Sequence, residues 1–121
     1  WREFRGLYRS LIIAFRGFRI ITMERNSTIH VAVAVFVVLE AALFRVSTIE
    51  WLLVSIVVAT VLSFEIINSA IERIANKTST GIDPEIALIK DASAAGVLVS
   101  AIAAAVIGMS IFFTRILAEI L

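Results

Sequence analysis

Four polar side chains recur along FEIINSAIERIANK, residues 64–77: Glu65, Asn68, Glu72 and Asn76, at steps of three, four and four. On an α-helix, at about 100° per residue, they fall within roughly 80° of arc and form one stripe. The flanking Ile66, Ile67, Ala70 and Ile71 are apolar. Carboxylates on such a stripe can take a proton as a general base or hold a divalent cation. A polar seam that glues helices together accounts for Asn68 alone. It explains two glutamates on one face poorly, because like charges repel. Something positive belongs beside them, either a metal ion or arginines. Lys90 and Asp91 follow on the other side of a loop, and Glu24 precedes the first apolar run. Mg²⁺ prefers one or two carboxylates plus substrate phosphates, and a lysine acts as a point charge on phosphate. Glu24, Glu72, Lys90 and Asp91, meeting at one surface, therefore suit phosphoryl transfer. None of the five glycines opens a G-x-x-x-x-G-K-[ST] pattern, so nucleotide has to be held without a P-loop.

The elements that must position these groups are apolar. Of the 121 residues, 60% are hydrophobic and the mean hydropathy is +1.01. Soluble domains hold roughly 45–50% apolar residues. The excess predicts an all-α membrane protein with room for about three spans of roughly 20 residues and little else. A net charge of +1 argues against a nucleic-acid binder. Without cysteine, disulfides and thiolate metal sites are excluded. The opening WREFRG is no signal peptide, since no apolar stretch follows its charges.

Residues 1–25 interleave Arg2, Arg5, Arg9, Arg16, Arg19 and Arg25 with Phe4, Leu7, Tyr8, Leu11, Ile12, Phe15 and Phe18. Steps of three and four predict an amphipathic helix lying in the membrane interface. Spans are expected at about 27–46, 49–75 and 92–117, all within a single domain, 1–121. The segment NKTSTGIDPEIALIKD, 76–91, holds the only proline and reads as a loop. The small residues of ASAAGVLVSAIAAA permit close helix approach in the third span.

With three spans, nine basic residues fall on the side of the N-terminal helix and the 76–91 loop, and two, Arg45 and Arg115, on the other. That bias predicts N-terminus in and C-terminus out. Glu65 lies roughly 24 Å along the helix from Ile49, near the cytoplasmic edge of the hydrocarbon core, and Glu72 about 10 Å further, among headgroups or beyond. A carboxylate within a span costs roughly 2.5–3.5 kcal/mol on insertion scales and usually marks function. Glu40, with no polar companion on its face, is expected to be structural or to snorkel outward. His30, the only histidine, is expected to be a packing or interface residue.

Glu65-x-x-Asn68-x-x-x-Glu72, then Lys90-Asp91 and an alanine-rich span, resembles the small bacterial diacylglycerol kinases and their relatives, the undecaprenol kinases. IAFRGFR and MERNSTIH are similar to the first helix and first-span entry of that family, so the resemblance covers nearly the whole chain. It implies a homotrimer of three-span subunits, each with an N-terminal surface helix, in the bacterial inner membrane. It also implies transfer of the γ-phosphoryl of MgATP to a lipid hydroxyl at the cytoplasmic face. Carried over by position, Glu65 matches the catalytic base and Asn68 a polar active-site residue. Glu24 and Glu72 match the carboxylates that hold the divalent metal, Mg²⁺ or another ion, on the ATP phosphates. Lys90 and Asp91 match nucleotide contacts, and Arg5 and Arg9 match basic residues that meet nucleotide or lipid.

The chain departs from the pattern at Asn76, where the family usually has Asp, and at Ile82-Asp83, where it often has Tyr-His. Both departures lie at the edge of the expected ATP site, with Asn76 and Asp83 in the ATP-binding set. ERNSTIH and STIEWLL look more like the undecaprenol kinase branch, which favours undecaprenol over diacylglycerol as acceptor. The alternative from another class is a small transporter or channel subunit whose carboxylates relay ions. The lysine–aspartate pair and the charge bias toward one surface argue against it.

Overall fold

The computed structural model describes residues 1–23, 25–78 and 81–121, with Thr22 and Arg25 described in their backbone only. Helix α1 (Arg2–Gly17) leads through a 3₁₀ helix (Phe18–Met23) into α2 (Arg25–Leu43), α3 (Thr48–Thr78) and α4 (Pro84–Ile120). No strand occurs among the described residues. The last three helices are each long and apolar enough to cross a membrane, with mean hydropathies of 1.7, 2.0 and 2.3. At 31 and 37 residues, α3 and α4 run roughly 45–55 Å, so both outreach a hydrocarbon core of about 30 Å. Most large apolar side chains point outward, as lipid permits: Phe36, Leu52, Ile67 and Val99 are all more than half exposed.

The segment expected as one surface helix over 1–25 is broken. α1 ends at Gly17, a poor helix former, and the 3₁₀ helix turns the chain toward α2. No residue of α1 is buried, as suits a helix whose apolar side faces lipid rather than protein.

The segment expected as a loop over 76–91 is mostly helix. α3 continues to Thr78, and α4 starts at Pro84. Proline lacks the N–H that a first helical residue cannot use, so it opens the helix instead of excluding it. Asp83 caps it, Oδ1 accepting from the backbone N–H of Glu85 at 3.0 Å and of Ile86 at 3.4 Å. Lys90 and Asp91 therefore ride on α4, about two turns from its start, and not on a loop. Asp83→Ala is expected to lower stability by ~1 kcal/mol, and Asp83→Asn, an equally good cap, to lower it hardly at all. Unfolding of the detergent-solubilised protein checks this; equal losses in both variants would show that the charge matters and not the cap.

The other connection is tighter. Arg45 has φ 49°, and its N–H and that of Val46 reach back to the carbonyls of Ala42 and Ala41. This is a Schellman end to α2, with an arginine where glycine is usual. Ser47 and Glu50 then form a reciprocal capping box on α3, each side chain accepting the other's N–H at 3.2 Å. Glu50 is also paired with Arg115 near the end of α4. Beside this turn lies the apolar core of Ala41, Val46, Val54, Ile111 and Phe112, where the Phe44 and Phe112 rings meet at 6.0 Å. At the opposite end of the bundle α3 and α4 form an antiparallel hairpin. There Gly96 faces Phe64 so closely that an added Cβ would lie 3.3 Å from the ring.

Candidate functional site

Glu65 is 3% exposed, in a stretch of α3 whose neighbours are apolar. A buried carboxylate needs donors, and α2 supplies them. Ser27 and His30, three residues apart, share one face of α2. Ser27 Oγ donates to Glu65 Oε2 at 2.8 Å, and His30 Nδ1 lies 3.0 Å from Oε1. Ser69, one turn after Glu65, lies 3.3 Å from Ser27 through their hydroxyls. Ser27 has a single hydroxyl proton and gives it to Glu65. Ser27 and Ser69 are fully buried. Four polar residues thus meet between α2 and α3 in the interior of an otherwise apolar seam.

The rest of the stripe climbs α3 toward the hairpin. Asn68 is half-buried, and among the described residues its buried Oδ1 has no hydrogen-bond partner. That carbonyl is an acceptor open to a donor from substrate or water. Glu72, one turn on, is half-buried. Asn76, exposed, accepts from Lys90 Nζ at 2.8 Å across the hairpin. The structure therefore joins the end of the stripe to the lysine of α4. Asp91 stands exposed beside Lys90.

Other expected site residues stand apart. Asp83 is engaged as the cap of α4. Arg5 and Arg9 are exposed on α1, the Arg5 guanidinium 5.9 Å above the Trp1 ring. Among the described residues neither pairs with the stripe. Glu24 lies outside the described residues. No cluster of three or more metal-binding side chains occurs among the described residues. Glu72 and the Asn68 carbonyl are both oxygen donors on one face. That donor set fits a hard cation that keeps most of its ligands from substrate and water.

Three members of the site were not anticipated: Ser27, Ser69 and His30. His30 was expected as a packing or interface residue, and instead it touches the buried carboxylate. The one available signal was S-x-x-H at helical spacing in a span with few other polar residues. Glu40, expected to be structural or to snorkel outward, faces inward. It lines a groove of about 450 Å³ between α2, α3 and α4, together with His30, Val33, Val58, Ala104 and Phe112. The groove begins beside the carboxylate cluster, through His30, and is otherwise almost wholly apolar.

Comparison with known proteins identifies the family. Residues 12–112 match the family model described as prokaryotic diacylglycerol kinase. The chain is also 30% identical over 115 residues to the undecaprenol kinase of Bacillus subtilis (strain 168), with 94% of each chain covered.

Proposed function

Given that this chain belongs to the prokaryotic diacylglycerol kinase family and is a lipid kinase of the membrane, we propose that it moves the γ-phosphoryl of MgATP to the hydroxyl of undecaprenol, with Glu65 as the base. The observation that carries the proposal is Glu65 itself, buried between α2 and α3 and held by Ser27 and His30. In this reading the lipid hydroxyl oxygen forms a bond to the γ-phosphorus as the bond to the β-phosphate oxygen breaks. ADP leaves, and the hydroxyl proton passes to the Glu65 carboxylate. Phosphoryl transfer asks mainly for positioning and charge neutralisation, which a small site can supply. Glu72 and Glu24 hold a divalent cation, which when bound neutralises charge on the transferring phosphates. Lys90 adds a second positive charge there, Asp91 a further nucleotide contact, and Asn68 binds a polar group of substrate with its free carbonyl. Asp83 serves the nucleotide end by fixing where α4, and hence Lys90, begins. Arg5 and Arg9 meet lipid headgroups or nucleotide at the surface.

The groove running from His30 suits a hydrocarbon chain, and the relative of 30% identity is named for undecaprenol. The groove would take the chain of either lipid, and the name of the relative supports undecaprenol over diacylglycerol. The bias of nine basic residues against two supports a cytoplasmic active site, N-terminus in and C-terminus out. The family resemblance supports a homotrimer in the bacterial inner membrane. The other reading of the stripe, a carboxylate relay in a transporter or channel subunit, is set aside by family membership.

The test is transfer of labelled phosphate from ATP to each lipid in mixed micelles, with the topology read by labelling single cysteines placed at either end. A higher kcat/KM for diacylglycerol than for undecaprenol would overturn the choice of acceptor.

Asn76 offers a narrower test. Asn76→Asp places a carboxylate against Lys90, which then competes with phosphate for the ammonium. An exposed pair is worth roughly 0.2–1 kcal/mol, so the KM for ATP should rise about 2–5-fold. The undecaprenol-to-diacylglycerol ratio should stay constant, since Asn76 lies about 16 Å from Glu65 along α3. A changed lipid ratio at constant ATP dependence would place the two substrates at the opposite ends of the stripe.

A further inference from the structure

We propose that His30 is a positioning residue, fixing the plane of the Glu65 carboxylate by donating from Nδ1 to Oε1 while Ser27 holds Oε2. The proposal rests on the reading of Glu65 as the base. A glutamate reaches its carboxylate through a terminal torsion that is broad and roughly two-fold, so backbone and packing alone do not set the direction of its lone pairs. Here each carboxylate oxygen receives one donor. Both donors come from one face of α2, three residues apart, so the helix holds them at a fixed separation. Ser69 lies 3.3 Å from the Ser27 hydroxyl and packs against it. Ser27 and Ser69 are closed off from solvent, whereas the His30 side chain is 30% exposed and lines the groove. His30 therefore joins the buried cluster to the space in which a lipid chain fits.

A carboxylate only accepts hydrogen bonds. The contact therefore requires the imidazole proton on Nδ1, leaving Nε2 without one in the neutral ring. An isolated neutral histidine has no such obligation. Among the described residues, the titratable groups beside His30 are Glu65 on α3, in contact with it, and Glu40 further along α2 on the same groove; none of the α4 residues that line the groove is titratable.

The chain has a single histidine, so the ring can be read without assignment. In the assembled wild-type protein, labelled with ¹⁵N-histidine, the neutral ring is expected as the Nδ1–H tautomer. His30→Leu should lower kcat about 100-fold, the scale of a misplacement of about 1 Å at a reacting centre. The KM values for ATP and lipid should shift less than about threefold, since the residue acts on the chemical step. His30→Asn, which keeps a donor near the Nδ1 position, should recover activity to within about tenfold of wild type. A wild-type Nε2–H tautomer would overturn the proposal, as would an unchanged kcat in His30→Leu. So would equal loss in the leucine and asparagine variants when both assemble normally, since a donor would then not be what His30 supplies. Failure of the base reading is distinguishable: Glu65→Gln would keep its turnover while the wild-type spectrum still showed Nδ1–H.

Discussion

Glu65→Gln is expected to insert and assemble as the wild-type protein does and to phosphorylate neither undecaprenol nor diacylglycerol at a useful rate. A general base contributes about 10²–10⁴-fold to a proton-transfer step, and the amide is nearly the same size but cannot take the proton. The fold should tolerate the change. Ser27 can still donate to the side-chain oxygen, so the buried cluster loses one acceptor site and no volume. Glu65→Ala would confound the result, because removing the side chain strands the buried donors of Ser27 and His30 and opens a cavity. Labelled-phosphate transfer, with size-exclusion and circular dichroism as controls on assembly, checks the expectation. Near-normal turnover with either lipid would remove Glu65 from the role of base.

The second large effect is expected at the metal carboxylates. Glu72→Ala and Glu24→Ala should each raise the Mg²⁺ concentration needed for half-maximal activity and lower kcat/KM for ATP by roughly 100-fold, since the cation supplies several kcal/mol of charge stabilisation. Glu72 makes the clearer case. It is half-buried on the stripe one turn beyond Asn68, and among the described residues no hydrogen bond or ion pair of its own is lost on truncation. Titrating Mg²⁺ at several ATP concentrations separates loss of a ligand from loss of nucleotide affinity. A variant with an unchanged Mg²⁺ dependence would show that its residue is no ligand.

The stripe was legible because α3 is regular. Spacings of three, four and four mean the same thing in any helix, and Asn76 and Lys90 face one another because a short connection allows only an antiparallel hairpin. The surroundings of Glu65 were not legible, for a physical reason. Which face of α2 meets α3 cannot be read from α2, whose apolar residues run around its whole circumference. In lipid an outward valine is as well placed as an inward one. Ser27 and His30 therefore carried no directional signal until the partner helix was in place. The Asp83-Pro84 pair shows a different failure. A proline between two polar stretches reads as a break, yet an aspartate followed by proline is also how a helix begins. The loop reading took the second residue as the message where the first had equal claim.

The turn between α2 and α3 has a consequence for the chemistry at the opposite end of the bundle. α2 is joined to α3 along the chain at one end, through the left-handed Arg45 and the Ser47–Glu50 box, braced by the Glu50–Arg115 pair against α4, and toward its other end it meets α3 through the side-chain contacts of Ser27 and His30. His30 sits 15 residues from that joint, about 22 Å along α2, so a swing of about 5° would carry it about 2 Å. The contact it must keep is 3.0 Å long. The alignment of the carboxylate is therefore sensitive to small changes in the angle of α2 at the rim that carries His30. Reconstitution in membranes of different thickness should then tune the turnover of this kinase through leverage, with no bilayer lipid other than the substrate touching the groups that react.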